Sequence, residues 1–220
     1  MEEKKSLYQI LKKISYRRFL LNKKLEYFFN EFTTDTVVDL GGTNAVSHKY
    51  FRFPKEKAKK WITINIDDEA KPDLYSSIYE TGLADNFADV VICTEVFEHL
   101  EHPLLAMKEI LRILKPGGTF IGSTPFLFKI HGDPDDYFRY TESALRRVFL
   151  NRFSQVELYS MGGGLGTVGM LITQITDDLK FRVFKYAAIL VARWMIVTDY
   201  KMGYERKDAL TTGYIWRCKL

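Results

Sequence analysis

The 220-residue sequence has only two cysteines, four histidines and six prolines. Cys93 and Cys218 cannot form the disulfide framework of a small secreted domain. Because both lie in apolar runs, we expect buried free thiols in a reducing compartment. The cysteines and histidines do not form the close ligand pairs typical of zinc sites, so we expect no metal.

Long hydrophobic runs are also lacking. No stretch of about 18 uncharged apolar residues occurs, so we expect no membrane-spanning helix. The N-terminus carries lysines but no continuous apolar segment followed by a small-residue cleavage site, and we therefore expect no signal peptide. With 46% hydrophobic and 27% charged residues, the composition is that of a folded globular chain and excludes disorder.

The net charge of +4 is small, but it is distributed unevenly. Residues 1–24 hold eight basic and two acidic residues, and residues 180–220 hold nine basic and three acidic ones. Residues 61–179 instead hold nine basic and eighteen acidic residues. Because the basic residues flank an acidic middle, we expect no nucleic-acid partner and place the question of partners at the two ends.

Four short runs rich in β-branched residues predict strands at 36–40, 61–66, 89–93 and 119–123. Continuous apolar runs of this length are typical of strands covered on both faces, as in a parallel sheet. Between the last two runs a helix is predicted. Its apolar face is Leu104, Met107, Ile110, Leu111 and Leu114, with Pro103 near its start and Pro116-Gly117-Gly118 at its end. This alternation predicts an α/β fold, a Rossmann-like doubly wound sheet.

The two ends of the chain do not show the alternation of strands and helices that is predicted for the middle. Residues 6–32 predict a helix, since apolar residues recur every three or four positions at Leu7, Leu11, Ile14, Leu21, Leu25, Phe28 and Phe32. It is either packed on the domain or is a basic amphipathic segment on a membrane surface or partner. Near the C-terminus, residues 153–161 and 212–218 predict strands, and the apolar residues 170–198 between them predict helices. The two strands are expected to form an antiparallel hairpin at the sheet edge.

These patterns predict one domain over residues 1–220. It consists of an N-terminal helical segment at 1–34, a ligand-binding core at 35–160 and a helical insertion at 170–200 before the last strand. No repeat or linker divides the chain.

Polar residues and glycines follow the predicted strands at the points where ligands bind in open parallel sheets. Gly41-Gly42 follows the first strand and would let the backbone turn close to a ligand. Asp67 follows the second and could accept hydrogen bonds from both hydroxyls of a ribose. Thr94 and Glu95 follow the next. Together they predict a site for a nucleoside-containing cofactor.

Three segments carry a family resemblance: residues 37–42 (VVDLGG), 89–100 (DVVICTEVFEHL) and 111–118 (LRILKPGG). In this order and spacing, the chain resembles the class I S-adenosylmethionine-dependent methyltransferases, especially their type 11 group, over residues 35–160. The last segment is the most specific. The resemblance implies a seven-stranded sheet with an antiparallel last strand, and S-adenosyl-L-methionine as the cofactor.

The resemblance also implies roles for individual residues. Gly41 would approach the methionine part of the cofactor, in a turn that Asp39 helps to hold. Asp67 would bind the ribose, and Thr94 and Glu95 would line the pocket beside the sulfonium.

Three positions depart from the family pattern. Thr43 and Ala45 stand where further glycines are usual. Ser77 stands where an acidic residue often contacts the adenine, so adenine recognition would depend on Ser77 and on the backbone near Ile78.

The segment after the fourth strand, residues 125–141, has the composition of a binding loop, and we call it the acceptor loop. His131 is the candidate general base because imidazole titrates near neutral pH; alternatively it only fixes the loop by hydrogen bonds. Asp136 and Arg139 either form an ion pair or shape the acceptor pocket. Tyr137 and Tyr140 could stack on a sugar or another ring.

The expected function is therefore S-adenosylmethionine-dependent methyl transfer, to an oxygen of a small-molecule, sugar or lipid-linked acceptor. The alternative, favoured by Thr43, Ala45 and Ser77, is a non-catalytic module of the same fold that docks on a membrane or a partner enzyme. We expect a cytoplasmic protein, with peripheral membrane contact through its basic terminal helices as a further hypothesis.

Overall fold

A computed structural model describes residues 15–30, 33–45, 51, 53–132, 135–176, 182–203 and 210–220. The helix predicted at 6–32 is present as α1, Tyr16–Asn30, whose residues Leu21, Leu25 and Phe28 are buried as expected. Ser15, inside the predicted range, is not helical, which corrects that prediction at this residue. Leu7, Leu11, Ile14 and Phe32 lie outside the described residues, as does Asp133 of the acceptor loop.

Seven strands form one sheet in the order β3-β2-β1-β4-β5-β7-β6. The strands are β1 Thr34–Leu40, β2 Ala58–Asn65, β3 Leu74–Tyr75, β4 Ala88–Thr94, β5 Leu114–Pro125, β6 Gln155–Ser160 and β7 Gly213–Lys219. β7 is antiparallel to both of its neighbours, β5 and β6, and the remaining pairs are parallel. The predicted α/β fold with an antiparallel last strand is confirmed, as is the β6–β7 hairpin.

The central strands are buried on both faces, as their continuous apolar sequences predict. Val37 and Val38 of β1, which point to opposite faces, are both fully buried, and so is Val91 of β4. Helices cover the two faces: α1 contributes to the apolar cluster that contains Val37, whereas α2, Pro103–Ile113, contributes to the one that contains Val38.

Helix α2 corrects two details of the sequence prediction. Leu104, placed on its apolar face, is 58% exposed, because the buried side is formed by Met107, Ile110 and Ile113. The helix ends at Ile113, and Leu114 already begins β5. A change of register between Ala88 and Val90 of the neighbouring strand accommodates the Pro-Gly-Gly segment inside β5.

Helix α3, Glu142–Ala144, is short and continues into a π-helical turn, Leu145–Phe149. Between β6 and β7 the chain forms two further helices, α4, Gly164–Ile175, and α5, Arg182–Lys201. The α4–α5 contact is close, since a Cβ on Gly169 would lie 2.7 Å from the Ala192 carbonyl oxygen. Within the part of the chain that the structure describes, no helix has the length and apolar character needed to cross a membrane.

Thr141 caps α3, since its hydroxyl accepts a hydrogen bond from the Ala144 N–H at 3.2 Å. Cys93 and Cys218 are buried free thiols, also as predicted. Burial raises the pKa of the Cys218 thiol to about 12, so it is protonated and unreactive at neutral pH.

Candidate active site

The strand order reverses direction between β1 and β4, so the carboxyl ends of these strands border a crevice at the switch point. Two cavities of about 610 and 550 Å³ open there. Their walls have five residues in common: Gly41, Asn65, Asp67, Glu95 and His99. The two cavities are therefore adjoining lobes of one cleft.

Every residue that the sequence predicted for the cofactor lines this cleft. The larger lobe contains Asp39, Gly41, Gly42, Asp67, Thr94 and Glu95, and also the candidate base His131. The smaller lobe contains Ser77 and Ile78, together with Gly41, Asp67 and Glu95. Ser77 and Ile78, predicted near the adenine, line only the smaller lobe, whereas Gly41 and Glu95, predicted near the methionine part and the sulfonium, line both lobes.

The turn after β1 requires both of its glycines. Gly41 has a φ of +74°, and a Cβ there would lie 2.4 Å from a methyl group of Val96. A Cβ on Gly42 would lie 2.2 Å from the Asp39 carboxylate. Asp39 is enclosed by this turn, and burial raises its pKa to about 7.

The end of β2 is tied to the same turn. Asn65 donates a hydrogen bond to the Gly42 carbonyl oxygen at 2.9 Å and accepts one from the Asp67 N–H at 3.0 Å. Asp67 in turn accepts a hydrogen bond from the Glu69 N–H at 2.9 Å. These bonds orient the exposed Asp67 side chain at the point where the two lobes meet. Asn65 was not among the predicted site residues.

The residues that depart from the family pattern have structural partners. The Thr43 hydroxyl donates to the Ala70 carbonyl oxygen at 3.1 Å and accepts from the Ala45 N–H at 3.0 Å. It therefore fixes the loop where the family has a glycine. Ser77 accepts a hydrogen bond from the Tyr79 N–H at 3.2 Å within a turn that lines the smaller lobe.

A buried ion pair forms part of the wall of the larger lobe. Glu95 has a φ of +58°, unusual for a residue other than glycine, and accepts a hydrogen bond from Ser123 Oγ at 2.9 Å. Its other oxygen pairs with Arg17 of α1, which is only 4% exposed. The Arg17 guanidinium also lies 4.4 Å from the centroid of the Phe128 ring.

Arg17 carries its charge in an environment with little water. Burial lowers its pKa to about 9, so it is still a cation at neutral pH. Its Nε has no hydrogen-bond partner among the described residues. Sequence reasoning missed Arg17 because it is one of eight basic residues within positions 1–24, and no local pattern separates it from the others.

The acceptor loop places His131 against the larger lobe. The His131 N–H donates to Asp136 at 2.9 Å. On the imidazole, Nδ1 lies 3.3 Å from the Lys129 carbonyl oxygen and 3.2 Å from an Asp136 oxygen. Both neighbours accept hydrogen bonds, which favours the tautomer with the proton on Nδ1 and the lone pair on Nε2. Burial lowers the pKa of His131, so the neutral ring predominates at pH 7.

The four predicted substrate residues do not line either lobe. Asp136 and Arg139 form the predicted ion pair, with Arg139 donating to Asp136 at 2.6 Å, and this pairing lowers the pKa of Asp136 to about 2. Tyr140 is buried and donates to the Phe97 carbonyl oxygen at 3.2 Å, whereas Tyr137 is 45% exposed. In this structure these residues shape the acceptor loop, and their contact with a substrate stays a prediction.

The chain matches one protein-family model, described as a methyltransferase domain of type 11, over residues 45–122. The matched range includes the segment after β4 and the Pro-Gly-Gly string, but it begins after the Gly41-Gly42 turn. No curated protein matches the sequence.

Solved structures share the fold at low sequence identity. A S-adenosylmethionine-dependent methyltransferase from Archaeoglobus fulgidus is 16% identical with a TM-score of 0.58, and the alignment covers 98% of this chain and 100% of that one. In the complex of the Haloferax volcanii Trm112 methyltransferase activator with a methyltransferase, the matched chain is 17% identical with a TM-score of 0.57, covering 92% and 90%. Phosphoethanolamine N-methyltransferase 2 from Haemonchus contortus, solved with phosphomonomethylethanolamine and S-adenosylhomocysteine, is 12% identical with a TM-score of 0.53. That alignment covers 91% of this chain and 52% of the other.

The fold is thus that of the class I methyltransferases. The match to the methyltransferase-domain model over residues 45–122 is consistent with S-adenosylmethionine-dependent methyl transfer and with the type 11 group. The resemblance stated from the sequence is confirmed, together with the enzyme class and the cofactor. The cleft fits that cofactor, since its turn admits no side chain at Gly41 and an oriented carboxylate, Asp67, stands between its lobes.

Proposed function

We propose that this enzyme methylates an oxygen of a small-molecule, sugar or lipid-linked acceptor. When bound, S-adenosylmethionine supplies an electrophilic methyl group. A hydroxyl acceptor must lose its proton as it attacks that group, so the protein needs a base beside the cleft. The observation that carries the proposal is the position of His131 in the wall of the lobe that also contains Gly41, Thr94 and Glu95, where burial lowers its pKa.

In this proposal the two lobes divide the cofactor. Asp67 binds the ribose hydroxyls at their junction, and the turn that carries Ser77 and Ile78 borders the adenine. Asp39, Gly41 and Gly42 hold the methionine part, with Thr94 and Glu95 beside the sulfonium. Arg17 provides a buried cation in the larger lobe, a suitable partner for a carboxylate of the cofactor or the acceptor.

His131 then acts on the acceptor. Lys129 and Asp136 hold Nδ1 with its proton, so Nε2 is the atom that takes the proton of the acceptor hydroxyl. The Asp136 carboxylate stabilises the imidazolium that results, as its charge favours the protonated ring. An ion pair with Arg139 in turn keeps Asp136 in place.

The non-catalytic alternative loses most of its support. It was based on Thr43, Ala45 and Ser77, which depart from the family pattern. Thr43 bonds both Ala45 and the Ala70 carbonyl oxygen, and Ser77 lines the cleft, so these substitutions are compatible with a formed site. Methyl transfer is therefore the function that we retain.

The acceptor atom can be tested with S-adenosylmethionine that carries a labelled methyl group. Purified enzyme would be offered matched pairs of acceptors, each pair differing only in a hydroxyl or an amine, drawn from phenols, sugars and polyprenyl-linked sugars. We expect label in a methyl ether. The Asp67→Ala protein serves as the control that should transfer no label. Label found only on amines would overturn oxygen methylation while leaving the enzyme class intact.

A further inference from the structure

Two histidines and a glutamate from different segments of the chain meet beside the cleft. Glu98 and His99 lie in a short helical turn, Phe97–His99, that follows β4, and His131 lies in the acceptor loop. One carboxylate oxygen or imidazole nitrogen from each of the three residues lies within 4.8 Å of those from the other two. His99 lines both lobes of the cleft, and His131 lines the larger one. We call these three residues the Glu98–His99–His131 cluster.

Backbone hydrogen bonds hold the acceptor loop against the turn after β4. The Glu98 carbonyl oxygen accepts hydrogen bonds from the Tyr137 N–H at 2.7 Å and from the Phe138 N–H at 3.3 Å. The His99 and His131 rings pack edge to face, with their centroids 5.1 Å apart. Spacing along the chain predicted no metal site, because His131 is distant from His99 in the sequence and only folding brings the two rings together.

Each imidazole is oriented so that its Nε2 is available. His99 Nδ1 lies against the Asp135 carbonyl oxygen, which can only accept a hydrogen bond, so the proton of this ring is on Nδ1. His131 has the same arrangement, with Nδ1 beside the Lys129 carbonyl oxygen and an Asp136 oxygen. Histidines that bind metal ions typically donate their other ring N–H to a carbonyl or carboxylate oxygen in this way. Both rings are therefore oriented as metal ligands.

Glu98 adds a buried carboxylate oxygen that lacks a hydrogen bond. The side chain is completely buried, and its Oε1 has no hydrogen-bond partner among the described residues. This oxygen lies 3.8 Å from His99 Nε2 and so faces the cluster. Arg17 and Arg139, whose charges act on Glu98, are paired with other carboxylates. Because a buried polar atom without a partner is costly, this oxygen points to a missing ligand.

We propose that the Glu98–His99–His131 cluster binds a zinc ion. Two imidazole nitrogens and one carboxylate oxygen form a ligand set of zinc sites that keep the fourth position open. A tetrahedral ion at about 2.0–2.2 Å from its ligands holds them about 3.4 Å apart. Donor atoms within 4.8 Å of one another need to approach by no more than about 1.5 Å to reach this geometry. The two imidazoles favour a transition metal over magnesium, which prefers oxygen ligands.

The zinc ion and the acceptor proton would compete for the same atom. The proposed function requires the lone pair of His131 Nε2 to be free, and coordination of the metal uses this lone pair. Zinc should therefore inhibit oxygen methylation, and its removal by a chelator should restore the activity. Only this inhibition rests on the proposed function, since zinc binding itself requires neither cofactor nor acceptor.

Zinc titration of the full chain tests the site. After treatment with a chelator and removal of that chelator, we expect the wild type to bind one zinc ion with a dissociation constant in the micromolar range or below, measured against a chromophoric chelator. His99→Gln and His131→Gln should each weaken binding at least about tenfold, since even residues that only orient metal ligands contribute this much. The matched control is His102→Gln, which removes an exposed histidine outside the cluster and should leave binding unchanged.

Cobalt(II) in place of zinc provides a spectroscopic measurement of the same site. Four-coordinate cobalt absorbs strongly in the visible range, and this absorption should be lost in His99→Gln and His131→Gln but kept in His102→Gln. Glu98→Gln, which preserves the size of the buried side chain, should also weaken zinc binding. Circular dichroism establishes that each variant is folded, and the two histidine variants decide the question if Glu98→Gln is not.

Three results would overturn the zinc site. The first is wild-type protein that binds zinc only at millimolar concentration. The second is zinc affinity in His99→Gln and His131→Gln that equals the wild-type affinity, and the third is zinc-loaded enzyme with full oxygen methylation. A complete lack of oxygen methylation in metal-free enzyme would instead contradict the proposed function, while the zinc titration would still decide whether the cluster binds the metal.

Discussion

Replacing His131 by glutamine is expected to lower kcat for oxygen methylation by about 10²–10⁴-fold, the usual contribution of a positioned general base. Glutamine preserves polarity and approximate size but cannot take up the proton. S-adenosylhomocysteine binding should change little, because the cofactor residues lie at the strand ends. His102→Gln, an exposed histidine that lines neither lobe, is the matched control and should retain wild-type kcat.

The pH profile separates a base from a residue that only fixes the loop. Burial lowers the pKa of His131, so the acid limb of the wild-type kcat profile should lie below the ordinary histidine value of about 6.5. Activity falls on that limb as the imidazole becomes protonated. The glutamine variant should lose the limb along with most of its rate. A variant with kcat within about threefold of wild type would contradict the assignment of His131 as base.

Replacing Gly41 by alanine is expected to abolish measurable cofactor binding. The φ of +74° alone costs an alanine about 1–2 kcal/mol. The added Cβ would also lie 2.4 Å from Val96, so the turn at the junction of the two lobes must move. The measurement is the melting temperature with and without S-adenosylhomocysteine, which should be the same for this variant.

Gly82→Ala provides a matched control for that experiment. Gly82 has nearly the same φ, +73°, but a Cβ there meets no atom within 4 Å. The positive φ should destabilise the Gly82→Ala variant by about as much as it destabilises Gly41→Ala. The melting temperature of Gly82→Ala should still rise when S-adenosylhomocysteine is added. If Gly41→Ala binds S-adenosylhomocysteine as tightly as Gly82→Ala does, the turn does not contact the cofactor as we propose.

The sequence predicts the central strands well because a strand covered on both faces leaves a continuous apolar run. The same logic fails for β3, which has only two residues, Leu74 and Tyr75, too few to form a pattern. The sequence also misplaces Leu104 of α2, because helical periodicity alone defines the direction of the buried face only to within about one residue. The start of β5 inside the Pro-Gly-Gly segment depends on pairing with β4, which is not a local property.

In the cleft, residues directly after strands are predictable because the carboxyl ends of parallel strands meet at one edge. Gly41, Asp67 and Glu95 were found in this way. Arg17 and Asn65 were not. Arg17 reaches the cleft through the packing of α1, and Asn65 contributes through bonds to Gly42 and Asp67 that only the folded chain brings together.

The uneven charge distribution follows from this architecture. The acidic middle of the chain includes Asp67 and Glu95 of the cleft and Asp136 of the acceptor loop. The basic ends include α1, which contributes Arg17 to the cleft, and α5, whose exposed side carries cations among apolar residues. The cleft therefore combines acidic residues from the middle of the chain with a cation from its basic N-terminal part.

Thermal unfolding with S-adenosylhomocysteine tests the central claim, that this cleft binds the cofactor, most directly. At about 100 times the dissociation constant, the ligand should stabilise the fold by about 2.7 kcal/mol, a rise of roughly 5–10 °C for a chain of this size. Asp67→Ala should abolish the rise, whereas Asp68→Ala, its exposed neighbour that lines neither lobe, should preserve it. The account would be contradicted if S-adenosylhomocysteine left the melting temperature of the wild type unchanged while a nicotinamide dinucleotide raised it.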